Sequence, residues 1–480
     1  MSVAATLPPL PGLPPLPPLP VPAAPARASR RERVGQQYTH RVDPFWDGVW
    51  TIASGAVWST ASTDRSAAAA GRVKASSMPD SIDQARQVLY DCKPKDLAKL
   101  IAVAGALDSW GLMNAGQLEH LTGYRNLHEW RSQRAMRALY GLGMMDIGAT
   151  VSPTSGVRPG RSELMFRAGA KGGFRKHLWD VLTDTELLSI DGGVVDAPRI
   201  GYHDRHNTLS VELGLRAAEL IPGIGAVYGE KWSSSQMMVP SDYRKATGFT
   251  PGARHQPARG DGALVRADGY RIVLETTANS SPSFRTKVRR WADVLHRHPA
   301  DRLPLFVLFV VAPHPGRDGV VPRAQIRKIK QDIADELKVF LPTGPDAPAA
   351  RIGVVGWEDF FPASHVLSED FHRLRVQVPQ RRWGTVDLVD YAPVQDPDAV
   401  AAVDNAALLG GSPWWLRVGE HSHLLGGSPV DRLSGGVFPV PPHRYTGGEP
   451  APFTRGKTPS RVQVVGLADP DNPTESKKAR

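Results

Sequence analysis

Apolar residues recur at helical spacing from residue 94 onward and only weakly before it. In KPKDLAKLIAVAGALDSWG (93–111), Leu97, Leu100, Ile101, Ala104 and Leu107 share one face, so a helix is expected. NAGQLEHLTG (114–123) predicts a second, short helix that stops at Gly123. Asn126, with Glu129 three residues later, has the form of a capping box. It opens a third helix across NLHEWRSQRAMRALYGLG (126–143). MMDIGA (144–149) and RSELMFRAG (161–169) read as two strands joined by a Pro/Gly-rich loop, TVSPTSGVRPG. Three helices and then a two-strand hairpin is the order of a winged helix-turn-helix.

A second patterned region begins near His203. HNTLSVELGLRAAELI (206–221) predicts a helix and GAVYGEKW (225–232) a short strand. After a polar loop come two strands, DGALVRA (261–267) and YRIVLETTA (270–278), and a basic helix, SFRTKVRRWADVLHRH (283–298). LPLFVLFVVAP (303–313) is a continuous apolar run, as expected of a strand buried on both faces. RAQIRKIKQDIADELKVF (323–340) is an amphipathic helix, and RIGVVGWEDFF (351–361) holds a last strand. The order α-β-β-β-α-β-α-β packs most simply as a mixed sheet with helices on both faces.

The flanks lack such periodicity. Residues 8–25 contain 10 prolines, which predicts an extended polyproline II spacer, a ligand for aromatic grooves, or an inert disordered tail. RASRRERV (27–34) is a basic clip, and residues 38–78 read as linker with one short element around VDPFWDGVW. After Pro379 the pattern fades. LLGGSP occurs twice, at Leu408 and Leu424, which is too few copies for a solenoid. The expected division is a Pro-rich disordered head and linker (1–93), a winged helix (94–180), an α/β domain (195–377) and a largely disordered Gly/Pro-rich tail (378–480).

Composition sharpens this picture. The chain has 480 residues, of which 41% are hydrophobic, enough for two or three domains at roughly 100–200 residues each. The formal net charge of +10 favours an anionic partner such as nucleic acid, or reflects a merely soluble basic protein. Cys92 is the single cysteine, which excludes a disulfide framework and a CxxC metal site and suits a reducing cytoplasm. No apolar run is long enough to span a bilayer, and the N-terminus lacks the early basic region of a secretory signal, so no membrane partner is expected.

In a helix-turn-helix, the second helix of the pair enters the major groove of double-stranded DNA. Here it is the third predicted helix, and Arg125, His128, Arg131, Arg134 and Arg137 lie on or beside it. At about 100° per residue, Arg134 and Arg137 point away from the Leu127, Ala135, Leu139 and Leu142 stripe, while Arg131 falls close to it. Arg158 and Arg161 sit in the proposed wing loop, within reach of the adjacent backbone. The same residues also fit a helical bundle with a solvated basic face, or a winged helix used for protein contacts.

Four carboxylates are candidates for fixing a divalent metal at a phosphate: Glu212, Glu230, Asp261 and Glu275. A hairpin turn at RADG brings Asp261 and Glu275 to one end of adjacent strands. Lys287, on the following helix, offers a positive charge to them. Carboxylates at strand ends also serve plain solubility. His206-Asn207 ahead of the first helix reads as a cap, Asn207, beside a core hydrogen-bonding histidine. Trp179, Trp232, Trp291 and Trp357 read as core residues.

With these residues in place, the sequence resembles the replication-relaxation family of plasmids and mobile elements, found especially in actinobacterial replicons. The resemblance runs over residues 95–361. It rests on LIAVAGALDSWGLMNAGQLEHLTG, WRSQRAMRALYGLGMMDIG, RHNTLSVELGLRA, GEKW, GDGALV, VLETT and TKVRRW. It implies a DNA-binding accessory role in replication control or mobilisation, with replication or conjugation proteins as further partners. It also implies a restriction-endonuclease-like second domain, in which Asp261 is the first acid and Glu275 the second; were that site active, it would take Mg²⁺ or Mn²⁺, with Glu230 among the candidate carboxylates. The sequence departs from the pattern at Gly260, where a proline precedes the acid, and at Thr277, where a nuclease carries its lysine. Lys287 then stands as a migrated catalytic lysine, a phosphate contact or a surface charge. The departures point to a nuclease-like domain that does not cleave. An active metal-dependent endonuclease, a transcriptional regulator and a protein-interaction scaffold are the alternatives.

Overall fold

A computed structural model describes the chain in the stretches 42–46, 56–72, 79–91, 94–150, 164–169, 204–235, 258–314, 320–340 and 344–392, with short breaks inside some of them, and at residue 177. Arg125, Arg158, Arg161, Cys92, Trp179, Trp232, the proline-rich head and the LLGGSP copies lie outside the described residues.

The N-terminal unit comprises β1 (Ala56–Ser59), α1 (Ala61–Ala69), α2 (Ile82–Tyr90), α3 (Pro94–Trp110), β2 (Leu112–Asn114), α4 (Ala115–Thr122), a 3₁₀ turn (Leu127–Ser132), α5 (Arg134–Gly141), β3 (Met145–Thr150) and β4 (Leu164–Ala168). Its antiparallel sheet has the order β1-β3-β4-β2. The linker reading of residues 38–78 is therefore corrected. AVWS pairs with β3, setting Trp58 opposite Gly148, and the Arg167 guanidinium lies 4.3 Å from the Trp58 ring centroid. Thr60 and Ser81 close capping boxes on α1 and α2.

The third predicted helix also needs correction. Asn126 is left-handed (φ 60°) and makes no side-chain cap, and Glu129 departs from helical geometry. Gln133 is extended and ends the 3₁₀ turn, so α5 begins anew at Arg134. Asparagine tolerates the left-handed region, and the Gln133 amide donates back to the Asn126 carbonyl. These local bonds compete with a continuous helix.

The second unit comprises α6 (Asp204–Leu220), β5 (Ile224–Gly229), β6 (Gly262–Arg266), β7 (Arg271–Thr277), α7 (Pro282–Arg297), β8 (Leu305–Val311), α8 (Arg323–Leu337), β9 (Ile352–Gly356), α9 (Trp357–Phe360), α10 (Glu369–His372), β10 (Arg375–Pro379) and β11 (Trp383–Asp387). Its seven strands run β11-β10-β9-β8-β7-β6-β5. The β5-β6-β7 and β9-β10-β11 pairs are antiparallel, whereas β7-β8-β9 are parallel. The chain is thus mixed α/β with a mixed sheet. The fading of pattern after Pro379 is corrected by β11, which extends this sheet. Arg266 donates to the Leu388 and Tyr391 carbonyls (2.9 and 2.5 Å) and holds the end of that extension.

Side chains alternate across a strand. On β7, Thr276 faces α6, where its hydroxyl meets Ser210 Oγ at 2.6 Å. Its neighbour Glu275 faces α7. The two helices therefore cover opposite faces of the sheet. The β8 strand is buried at every position, as its apolar run predicts. One buried apolar cluster runs through both units, from Leu107 and Trp110 to Val227, Leu264 and Phe309. Among the described residues no helix is long and apolar enough to cross a membrane.

Residues 42–46 lock into this junction. Asp43 Oδ1 accepts from the backbone N–H groups of Phe45 and Trp46 (2.9 and 3.0 Å), a local turn that sequence periodicity does not reveal. Its other oxygen takes a hydrogen bond from Arg216 at 2.8 Å, and the Trp46 indole donates to the Phe361 carbonyl at 2.7 Å.

Candidate functional site

The β6–β7 hairpin sets Asp261 beside the end of β7. The Asp261 N–H donates to the Leu274 carbonyl (2.8 Å) and the Thr276 N–H donates to Asp261 Oδ2 (2.7 Å). Glu275 is wholly buried. From α7, Lys287 Nζ donates to Glu275 Oε2 and Trp291 Nε1 to Glu275 Oε1, both at 2.5 Å. Lys287 and Trp291 are four residues apart on one helix, so they share a face and grip one carboxylate from the same side. Lys287 Nζ also lies 4.0 Å from Asp261 Oδ1. Glu230, directly after β5, is within 3.9 Å of Arg259.

The structure thus brings Asp261, Glu275 and Lys287 together, with Glu230 near enough to feel their charges. Burial pushes the Glu275 carboxyl up to about 8, against the opposing pull of Lys287 and with a further push from Asp261. Burial, then Asp261, raises Glu230. Burial works against the Lys287 charge, but Asp261, Glu275 and Glu230 outweigh it and raise the ammonium above the ordinary lysine range.

Thr277 lies on the same face as Glu275, two positions on. It is nearly buried, and its hydroxyl donates to the Asn279 carbonyl at 3.1 Å. The position of the expected lysine is therefore occupied by a side chain bonded within its own turn. Glu212 is engaged elsewhere. It pairs with Arg216 at 2.9 Å and accepts from the Gln117 amide at 3.1 Å. Arg216 in turn pairs with Asp43, and its guanidinium stacks over Phe361, 4.2 Å from the ring centroid.

A divalent cation requires oxygen ligands able to turn toward it. Here both Glu275 oxygens receive short hydrogen bonds and one Asp261 oxygen is held by Thr276. Among the described residues no group of three or more His, Cys, Asp or Glu is spaced to hold a metal ion. The donor set as built does not fit Mg²⁺ or Mn²⁺.

Two residues escaped the sequence reading. Trp291, assigned to the core, is also the second donor on Glu275, and its position four residues after Lys287 carried that signal. Thr276 fixes Asp261 through its backbone, which no side-chain pattern marks. The capping role of Asn207 is corrected, because α6 begins at Asp204 and places Asn207 within its first turns. His206 does hydrogen-bond inward: its Nδ1 donates to the Thr276 carbonyl at 3.1 Å.

At the other proposed site, Arg131, Arg134 and Arg137 are all exposed. The break at Gln133 removes the premise of the helical angle that sets Arg131 close to the apolar stripe. Arg131 lies over the Trp130 ring, 5.2 Å from its centroid. Arg137 is ion-paired to Asp80, and His128 meets Glu119 at 3.1 Å. Arg134 forms no ion pair among the described residues. Compared with known proteins, the chain matches no family model, no curated protein and no solved structure.

Proposed function

We propose that this chain is a DNA-binding accessory protein of the replication-relaxation type, acting in plasmid or mobile-element replication control or mobilisation. The observation that carries the reading is Arg134, exposed in the first turn of α5 without an acidic partner among the described residues, between exposed Arg131 and Arg137. A helix that enters the major groove reads base edges with its N-terminal residues, and the arginine fork suits guanine edges and phosphates. The succession α3, α4, α5, β3, β4 supports a winged helix-turn-helix reading. The net charge of +10 supports an anionic partner.

In the same reading, the sheet of the second unit is nuclease-like and does not cleave. Lys287 and Trp291 occupy both oxygens of Glu275, so the cluster is charge-compensated from within. A gel shift on the origin region of the chain's own replicon, followed by incubation with Mg²⁺ and with Mn²⁺, tests both parts. The expected result is a shift that weakens with salt and leaves the DNA intact. No shift at low salt overturns the DNA-binding part. Nicking that Asp261→Ala abolishes overturns the non-cleaving part.

A further inference from the structure

The carboxylate cluster and the α4–α5 surface are joined by one helix. From its first turns, α6 reaches the cluster: His206 Nδ1 donates to the Thr276 carbonyl, and Ser210 Oγ bonds the Thr276 hydroxyl at 2.6 Å. The N–H of the same Thr276 holds Asp261 Oδ2. Between and beyond those two residues, α6 takes hold of α4. The Gln117 amide, fully buried, donates to the Thr208 carbonyl at 2.9 Å and to Glu212 Oε2 at 3.1 Å. Gln117 is fixed in its own helix by a reciprocal pair with Asn114, at 2.8 and 3.2 Å.

The two units approach closely around this path. A Cβ at Gly262, next to Asp261, would lie 2.9 Å from the Trp110 ring. A Cβ at Gly229, next to Glu230, would collide with the backbone of Ser109. The end of α3 thus rests directly on the backbone that carries two of the three carboxylates. A close-packed contact of this kind transmits displacement rather than absorbing it.

Coupling also needs an element with two discrete arrangements. Lys287 lies between two carboxylates: its Nζ is 2.5 Å from Glu275 and 4.0 Å from Asp261.

We infer that α6 couples the α4–α5 surface to the carboxylate cluster, with the partition of Lys287 between Glu275 and Asp261 as the two-state element. A ligand engaged at α4–α5 shifts that partition through Gln117, α6 and Thr276. By linkage, a change at the cluster alters α4–α5 by the same factor. The coupling does not depend on the identity of what α5 binds.

Hydrogen–deuterium exchange on the full chain tests it without any ligand. Lys287→Met is expected to change amide exchange about fivefold, the lower end of ordinary couplings, both in residues 271–277 and in residues 115–122. Adding Gln117→Leu is expected to abolish the change in 115–122 and keep that in 271–277. An unchanged 115–122 in Lys287→Met overturns the coupling. If exchange instead rises uniformly, including in the distant strands 375–387, Ser210→Ala decides. It removes only the α6 bond to the Thr276 hydroxyl. Changes in both 271–277 and 115–122 with 375–387 unmoved support the inference, and no change in 115–122 overturns it. A failed gel shift bears on the DNA reading alone and leaves these rates as they are.

Discussion

Lys287 Nζ lies 2.5 Å from Glu275 Oε2, although the two residues belong to different elements and the position two after Glu275 holds Thr277. The ammonium is delivered from α7, the helix that follows β7, rather than from β7 itself. Trp291, one turn later, completes the hold. The geometry reconciles two facts that conflict in the sequence: an acid with no lysine in the expected place, and a site that nonetheless has one.

Removing Lys287 leaves a buried carboxylate with one donor fewer. Breaking a fully buried pair costs about 3–5 kcal/mol, and the 39% exposure of the Lys287 side chain calls for a discount for solvent screening. Above about pH 8, where Glu275 is ionised, Lys287→Met is therefore expected to destabilise the chain by about 2 kcal/mol. Adding Glu275→Gln should recover part of the loss, because the uncompensated charge is gone. Urea unfolding of the two variants measures it, and equal loss in both would refute the charge-pair account.

The pH dependence has a definite sign. Glu275 is raised from the ordinary 4.5 to about 8 in the folded chain, chiefly by burial. Between those values the folded state keeps a proton that the unfolded state has released. Stability from this group is complete below pH 4.5, declines as pH rises, and levels off above about 8. The raised Lys287 ammonium is lost only above the ordinary lysine value near 10.4, outside this window. Urea midpoints from pH 5 to 8.5 should fall more steeply for the native chain than for Glu275→Gln. Parallel profiles would show that Glu275 is already ionised throughout.

Much of the second unit was legible because its elements are each defined by their own residues. Ile329, Ile333 and Leu337 are buried along α8 at helical spacing, and the run from Leu305 to Val311 is buried entire. What escaped depends on partners distant in the chain. AVWS becomes a strand because β3 lies beside it. Asp43 is buried because Arg216 receives it. The break at Gln133 lies in its extended backbone, after a left-handed Asn126 and a kink at Glu129, choices invisible to periodicity. In the site, Asp261, Glu275 and Lys287 were legible as chemistry. That Lys287 closes Glu275 rather than opening it to a metal required distances.

In the proposed DNA-binding reading, Arg134 and Arg137 differ in what they have left to offer. Arg137 is already paired with Asp80, whereas Arg134 has no ion pair among the described residues. Arg134→Ala is expected to weaken duplex binding by about 1–3 kcal/mol if it meets a base, or to lower the salt slope by about 1 if it meets a phosphate. Arg137→Ala is expected to do less. Fluorescence anisotropy over a salt series distinguishes the two roles, and a larger effect at Arg137 would place the contact one turn further along the same face of α5.

The strongest prediction for stability concerns Arg216. Its side chain has no solvent exposure, pairs with Asp43 at 2.8 Å and Glu212 at 2.9 Å, and lies over Phe361. Two buried carboxylates are ion-paired to this guanidinium. Its removal takes the positive charge from both, while Asp43 keeps the Phe45 and Trp46 N–H groups and Glu212 the Gln117 amide, and the cost of breaking a buried pair is about 3–5 kcal/mol. Arg216→Met keeps most of the volume, so packing loss adds little. If the network joins residues 42–46 to the junction as its geometry indicates, Arg216→Met should also release that segment to protease. A truncation beginning at residue 47 should then lose much of the sensitivity to Arg216→Met, since Asp43 is no longer there to be stranded. Thermal unfolding of the four proteins closes the cycle. Additive losses would mean that Asp43 and Arg216 act independently despite their contact.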